Sequence, residues 1–315
     1  MLGIAQFGLN LAPLDVAYVP IAAVPLSPLG EVDSLYEIWR ADGPMQTGNM
    51  GAVHYRFNEQ LLFGCIALPE PHGEAAANST LKATTTAAYA QIFATLEATG
   101  YGQLVRVWNY VSGINQPADA GERYWEFNSA RYESFLAFHR PIAETVPAAS
   151  ALGTPGNSPL VIYFLANRTV AQMLENPRQV SAYRYPPQYG PRSPTFSRAA
   201  LLAEGGGTLM ISGTASIMGH RTMHANDVTG QTSETLENIR ALVGAANRLN
   251  TEQRFTVEAL SYKAYLRHSA DLPTVASTLR AALGPVAPIA FLTAEVCRRG
   301  LLVEIEAVGF ASGCR

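Results

Sequence analysis

The sequence predicts an α/β chain built from two similar β-α-β-α-β units, each a small mixed sheet packed on helices. Strand-like and helix-like apolar patterns follow one another in the same order in both halves. Their spacing agrees: residues 61 to 85 span 24 positions in the first half, and residues 208 to 231 span 23 in the second. The next step, helix to strand, is 20 positions (85 to 105) against 24 (231 to 255). Matched order at matched offsets is the mark of an internal duplication. The halves differ in their closing strands, since only the second carries carboxylates, Glu304 and Glu306.

Residues 1–49 form an N-terminal segment whose apolar stretches are broken by Pro13, Pro20, Pro25 and Pro28, and whose first basic residue is Arg40. That pattern fits neither the basic start nor the helical core of a secretory leader. The first unit, 50–166, opens with a strand over 61–68 and a polar loop to about Thr84. A helix follows that presents Tyr89, Ile92, Phe93 and Leu96 on one face and stops at Gly100. A strand over 104–111, a helical stretch over 121–139 and a strand over 160–166 complete it. Residues 167–204 read as an ordered connector rich in Pro and Tyr, with Pro186-Pro187 and Pro191; long loops of this kind often carry binding groups. The second unit, 205–315, begins with a strand over 208–216 and a loop of Gly, His and Asn ending near Asp227 and Gly230. A helix from about Gln231 carries Leu236, Ile239, Leu242, Val243 and Ala246, and a long strand over 255–266 comes next. A helix after Pro273 with Val275, Leu279 and Leu283 is stopped by Gly284-Pro285 before the closing strand over 301–308.

Composition narrows the function. The 315 residues are 48% hydrophobic and 15% charged, with a net charge of −3 and no Lys/Arg block. A packed core is expected, and nucleic acid or an anionic membrane is a poor partner. No apolar run approaches the roughly 20 residues of a membrane span, so a soluble cytoplasmic protein is expected. Cys65, Cys297 and Cys314 are scattered and odd in number, which suits reduced thiols and neither a disulfide framework nor a zinc site.

The candidate chemistry centres on the last strand. Leu301, Val303, Ile305 and Ala307 share one face, and Glu304 and Glu306 share the other. An ordinary solvated face is one reading. The other is a carboxyl looking into a pocket, where burial raises its pKa and makes it a proton donor. His220 and His224 stand four apart, a metal-ligand spacing on a helix, but Gly219 and Asn226-Asp227 make the segment a loop without a nearby third ligand. Gly205-Gly206-Gly207 precedes a strand and so is no phosphate cradle, and Ser212 lacks a nucleophile elbow. Arg123, Arg131 and Arg198 sit beside Tyr124, Trp125, Phe127 and Phe196, with Arg192 in the connector. Guanidinium forks beside aromatic surface suit a small cyclic dicarboxylate, although surface ion pairs would give the same pattern.

The strand Ser212-Gly213-Thr214-Ala215-Ser216, the helix with Gln231, Glu234 and Asn238, and the closing Val303-Glu304-Ile305-Glu306-Ala307-Val308 resemble the reactive intermediate deaminase family. That family folds as a sheet on helices and assembles as trimers with pockets between subunits. Over residues 50 to 310 the chain resembles the chorismatases, larger relatives that cleave chorismate. The segments that carry this are Val105-Arg106-Val107-Trp108-Asn109-Tyr110-Val111, Glu122-Arg123-Tyr124, Phe196-Ser197-Arg198-Ala199, Gly219-His220, His224 and Cys297-Arg298. The resemblance implies two deaminase-like units arranged like neighbours in a trimer, with the acid in the second and the first as scaffold or pocket wall. The deaminases carry an arginine on the strand before the last one, where this chain reads Pro288-Ile289-Ala290-Phe291. Imine deamination is therefore disfavoured, and a substrate carboxylate must be held elsewhere, by Arg198 or Arg131.

The chemistry implied is protonation of the enolpyruvyl ether of chorismate with release of pyruvate. Glu304 is the expected acid and Glu306 the reserve. Cys297 and Ala215 are expected near the reacting centre, and Arg198, Arg131, Tyr124, Phe196, Gly213 and Glu306 around the substrate. No metal or organic cofactor is needed for that step. The ring product is left open among 3-hydroxybenzoate, 4-hydroxybenzoate and a dihydroxycyclohexadiene carboxylate: Cys297 leans to a hydroxybenzoate and Ala215 to hydrolysis. A non-catalytic module binding a small acid is the remaining rival. Oligomeric state stays open between monomer and small homo-oligomer, because a duplication can replace subunit contacts.

Overall fold

A computed structural model describes residues 1–71, 80–119, 121–202, 207–249 and 254–311. Gly205, Gly206 and Cys314 lie outside the described residues. Strands β1 (Gly3–Phe7), β2 (Ile21–Val24) and β3 (Leu35–Trp39) form a small sheet in the order β2-β1-β3. The first unit follows with β4 (Gln46–Met50), β5 (Val53–Phe57), β6 (Leu61–Leu68), α1 (Thr80–Thr99) and β7 (Gln103–Ser112). A short hairpin, β8 (Pro117–Ala118) and β9 (Gly121–Glu122), leads into α2 (Arg123–Ala137), β10 (Ala148–Thr154) and β11 (Leu160–Asn167).

The second unit starts at β12 (Gln172–Leu174) and β13 (Ala199–Leu202) and continues through β14 (Thr208–Ala215) and the hairpin β15 (Ile217–Met218) and β16 (Arg221–Thr222). It ends with α3 (Val228–Leu249), β17 (Ser261–Leu266), α4 (Leu272–Leu283), β18 (Ile289–Thr293), β19 (Glu295–Val296) and β20 (Val303–Phe310).

The two large sheets repeat one topology. The first runs β4-β5-β6-β11-β7-β10 and adds β19 at its end; the second runs β12-β13-β14-β20-β17-β18. Equivalent neighbours have equivalent sense: β7 and β10 pair parallel, as do β17 and β18, and both closing strands lie antiparallel between two partners. In each unit one sheet face is covered by its two helices, giving one core under α1 and α2 and another under α3 and α4. The opposite faces meet each other and the N-terminal sheet in a third core that includes Phe7, Phe63, Trp108, Tyr163 and Tyr265. Central strands buried on both faces cannot alternate, which is why β11 is continuously apolar and continuously buried.

Several elements differ from the sequence expectation. The connector 167–204 contains β12 and β13, which extend the second sheet. The long strand expected over 255–266 is a strand only from Ser261. The Asn247 side chain bonds both the N–H and the carbonyl of Phe255 (2.8 Å each), removing it from any ladder, and a 3₁₀ turn follows at Val257–Ala259. The last strand begins at Val303, because Gln231 ties Gly300 and Leu302 into a turn: its Nε2 donates to the Gly300 carbonyl (2.9 Å) and its Oε1 accepts from Leu302 N–H (2.8 Å). Among the described residues no helix is long and apolar enough to cross a membrane.

Candidate active site

The face assignment of the last strand holds in three dimensions. Val303, Ile305 and Ala307 enter the core under α3 and α4, and Glu304 and Glu306 point the other way, toward the first unit. Both glutamates are only 3% exposed, so a solvated face is excluded. They nevertheless meet opposite surroundings.

Glu306 is enclosed by donors. Arg106 Nη2 and Lys263 Nζ each pair with it at 2.6 Å, and the Ser150 hydroxyl (2.7 Å), Trp108 Nε1 (3.0 Å) and Tyr265 hydroxyl (3.1 Å) donate to it as well. Burial works against its charge, but the two cations and these hydrogen bonds prevail and hold its pKa below the usual value. Glu306 is therefore a sequestered carboxylate and lines neither cavity described below, contrary to its expected place around the substrate.

Glu304 receives none of that support. Its side-chain hydrogen-bond partner is the Cys297 thiol, a weak donor, while Arg106 and Arg198 attract its charge from a distance. Burial, followed by the negative charge of Glu306, pushes its pKa up to about 8. At neutral pH it is a carboxylic acid with a proton to give. One strand thus separates two neighbouring glutamates into a carboxylate and, at neutral pH, a carboxylic acid.

The backbone makes room for this acid. Ala215 is the β14 partner of Glu304, and the β14–β20 register slips between Ile211 and Thr214, so Ser212 and Gly213 both stand against Glu306. This bulge brings the Gly213 Cα against the Glu304 carboxyl, where a Cβ would overlap Oε1 and lie 2.8 Å from Cδ. Gly213 N–H donates to Ser150 Oγ (2.9 Å), which also accepts from Arg106 (2.6 Å) and gives its own proton to Glu306. The Ser150 proton is thereby directed to Glu306.

Glu304 borders two adjoining cavities between the units. The outer one, about 240 Å³, is lined by Gly213, Ala215, Cys297, Glu304, Tyr124, Phe196 and Arg198, together with Tyr185, Tyr189 and Arg298. The inner one, about 40 Å³, keeps Gly213, Cys297, Glu304, Tyr124 and Phe196 and adds Asn128, Arg131 and Ser150. Apart from Glu306, every residue expected at the site lies on one of these walls.

The guanidinium groups are held with donors to spare. Arg131 is 2% exposed; its Nε donates to the Tyr89 hydroxyl (2.7 Å) and its Nη1 to the Thr195 carbonyl, leaving Nη2 buried and unpartnered. Arg198 donates through Nη2 to the Tyr185 hydroxyl (2.7 Å) and the Val180 carbonyl (3.0 Å), and its Nε is unpartnered. Arg298 stacks on Tyr189 at 3.9 Å, donates through Nη1 to the His220 carbonyl (2.9 Å), and has Nη2 unpartnered. Buried cationic donors without acceptors are costly unless a ligand supplies the acceptor, and the fitting acceptor is a carboxylate. Arg123 and Arg192 are engaged otherwise: Arg123 pairs with Glu70 at 2.6 Å, and Arg192 lies 5.0 Å over Tyr132.

The Cys297 thiol is held in its protonated form. Burial, then the neighbouring Glu304, pushes its thiol pKa up to about 12, so it faces the cavity as a small neutral group. The two histidines turn to separate partners, His220 Nδ1 to the Tyr189 hydroxyl (3.2 Å) and His224 toward Glu234 (3.7 Å). Among the described residues no group of three His, Cys, Asp or Glu side chains is placed to hold a metal.

The arrangement defines a class: a protein with an interior carboxylic acid set among unfilled arginine forks, suited to protonating a small anion. The comparisons with known proteins narrow it. The model of the FkbO/Hyg5-like chorismatase N-terminal family matches residues 37–166. A chorismatase of Streptomyces rapamycinicus is 39% identical over 286 residues, covering 88% of this chain and 83% of that protein. A 3-hydroxybenzoate synthase of Streptomyces hygroscopicus is 36% identical over 306 residues, covering 94% and 86%. A chorismatase crystal structure matches with a TM-score of 0.86 at 34% identity, over 98% of this chain and 92% of that one. The chain belongs to the chorismatase family.

Proposed function

We propose that this chain cleaves chorismate, with Glu304 as the general acid. The observation that carries the reading is a carboxyl kept protonated at neutral pH on the wall shared by two cavities that Arg131, Arg198 and Arg298 also line. Chorismate offers two carboxylates to those arginines and an enol ether to the acid. Transfer of the Glu304 proton to the terminal methylene carbon turns the enolpyruvyl group into an oxocarbenium ion. In hydrolysis water adds to the cationic carbon, a proton returns to the Glu304 carboxylate, and the hemiketal expels the ring alcohol as pyruvate forms. On the hydroxybenzoate route the ring C–O bond breaks with its electron pair going to the pyruvate carbonyl, and the ring loses a proton to the Glu304 carboxylate as it becomes aromatic. Pyruvate plus a hydroxybenzoate consumes no net water, whereas pyruvate plus a dihydroxycyclohexadiene carboxylate consumes one. Arg131 in the inner cavity and Arg198 in the outer one are the proposed carboxylate ligands, with Tyr124 and Phe196 as the walls against the ring. Cys297 and Ala215, which line the outer cavity with Glu304, are the residues proposed to influence the fate of the ring. The proposed reaction needs no cofactor, and a cytoplasmic location is part of the same proposal, in keeping with the free thiols of Cys65 and Cys297.

The test is incubation with chorismate and a coupled pyruvate assay, with ring products separated by chromatography. Pyruvate release above the buffer rate is expected, and its absence overturns the reading. Glu304→Gln keeps the shape but has no proton to give. Turnover is expected to fall by roughly 10²–10⁴-fold, with the substrate still bound.

A further inference from the structure

Behind the acid lies a second layer of charge that extends outside the pocket. Lys263, the β17 residue paired with Glu306 across the sheet, bridges two carboxylates: Glu306 on β20 and Glu37 on β3. Glu37 belongs to the N-terminal sheet and lines neither cavity. It is oriented by Trp39 Nε1 (2.6 Å) and by the Tyr163 hydroxyl (3.2 Å), which in turn accepts from Lys263 (3.0 Å). The cluster therefore counts two cations, Arg106 and Lys263, against two anions, Glu306 and Glu37. Without Glu37 it would carry one excess positive charge around Glu306, two residues along β20 from Glu304.

We propose that Glu37 is a positioning residue for the reaction: through Lys263 it balances the charge behind Glu304 and so keeps the acid loaded with its proton. The proposal rests on Glu304 being that acid. An uncompensated Lys263 would favour the ionised form of Glu304, which gives a three-stranded sheet remote from the substrate a part in proton transfer. The other groups around Glu304 are Glu306 on its own strand, Tyr265 opposite it on β17, Arg106 on β7, Tyr124 and Arg131 on α2, Cys297 and Arg298 before β20, and Arg198 before β13. Glu37 reaches this set through Lys263 and Tyr163, its ion-pair and hydrogen-bond partners toward the site.

The experiment compares Glu37→Gln, Glu37→Asp and Lys263→Met in the full chain, reading kcat and KM for chorismate across pH. Glu37→Gln is expected to move the alkaline limb of the kcat profile to lower pH by roughly one unit. One unit corresponds to about 1.4 kcal/mol, the order of a charge–charge interaction at an effective dielectric of about 20. KM should stay unchanged. Glu37→Asp, which keeps the charge, should hold the parental limb, and Lys263→Met should move it to higher pH. A merely structural role would lower kcat equally at every pH, or shift both charge variants the same way, and either result overturns the proposal. Infrared titration of the protonated carboxyl band that Glu304→Gln removes gives the same answer without turnover. If Glu304 is not the acid, pyruvate release survives Glu304→Gln; if only the balance is wrong, the band titrates at the same pH with and without Glu37→Gln.

Discussion

Gly213→Ala tests the site at its tightest point. The added Cβ would overlap Oε1 of Glu304, lie 2.8 Å from its Cδ and stand 3.1 Å from Ser150 Oγ. Restoring van der Waals contact requires the carboxyl oxygen to retreat by more than about 1 Å. The obstructed atom is the end of a side chain beside a cavity, not packed backbone, so the fold can yield at little cost. Gly213 also lies in the bulge without needing a left-handed conformation, so alanine adds no backbone strain. Stability is therefore expected to change by less than about 1 kcal/mol. Catalysis should not be so tolerant, since a misplacement of about 1 Å in a reacting group can cost roughly 10²-fold in rate. The expectation is a kcat lower by roughly 10²-fold, read by pyruvate release, with the urea midpoint nearly unchanged. A Gly213→Ala protein that turns over at the parental rate would show that the Glu304 carboxyl need not stand where the bulge puts it. Equal losses of stability and rate would instead make Gly213 a folding residue.

Other consequences follow from the same geometry. Glu304 must be protonated to act, so kcat should fall as pH rises through about 8, and in the simplest case the profile follows that single group. Its pKa is raised in the folded state, so its stabilising contribution is complete below the unfolded value near 4.5 and is lost as pH rises through about 8; denaturant midpoints of Glu304→Gln should lack that decline. Arg131→Met removes an unpartnered buried donor from the inner cavity and should weaken substrate binding by roughly 10- to 100-fold, seen chiefly in KM. Treatment with a chelator should leave pyruvate release unchanged, because the proposed proton donor is a side chain; a large loss would bring His220 and His224 back as metal ligands.

Much of this was legible in the sequence because local pattern and long-range packing agree. The helix faces of Tyr89, Ile92, Phe93 and Leu96, and of Leu236, Ile239, Leu242 and Val243, are the faces that pack on their sheets. The alternation in 303–308 separates the residues that pack under α3 and α4 from the two glutamates that point toward the first unit. The N-terminal sheet was not legible: β1 is five consecutive buried residues with no alternation, and its partners lie on either side of proline-broken sequence. β12 and β13 escaped because they are three and four residues long and separated by a loop that dominates their composition.

The choice between the two glutamates marks where one strand's pattern stops being informative. Period two gives Glu304 and Glu306 the same face and nothing to tell them apart. They are separated by residues about 200 and 40 positions away, Arg106 and Lys263, each set in an apolar strand where a lone basic residue reads as an exposed position. Arg106 is instead 1% exposed and stacks over Trp108 at 4.5 Å, and both side chains bond Glu306. Buried charges survive only in pairs, so two buried cations near two glutamates require that at least one glutamate be ionised. The register of β17 against β20 sets Lys263 opposite Glu306 and Tyr265 opposite Glu304, and so decides which one. A slip of two residues in that pairing would set Lys263 opposite Glu304 and leave Glu306 to Arg106, Trp108 and Ser150 of the first unit.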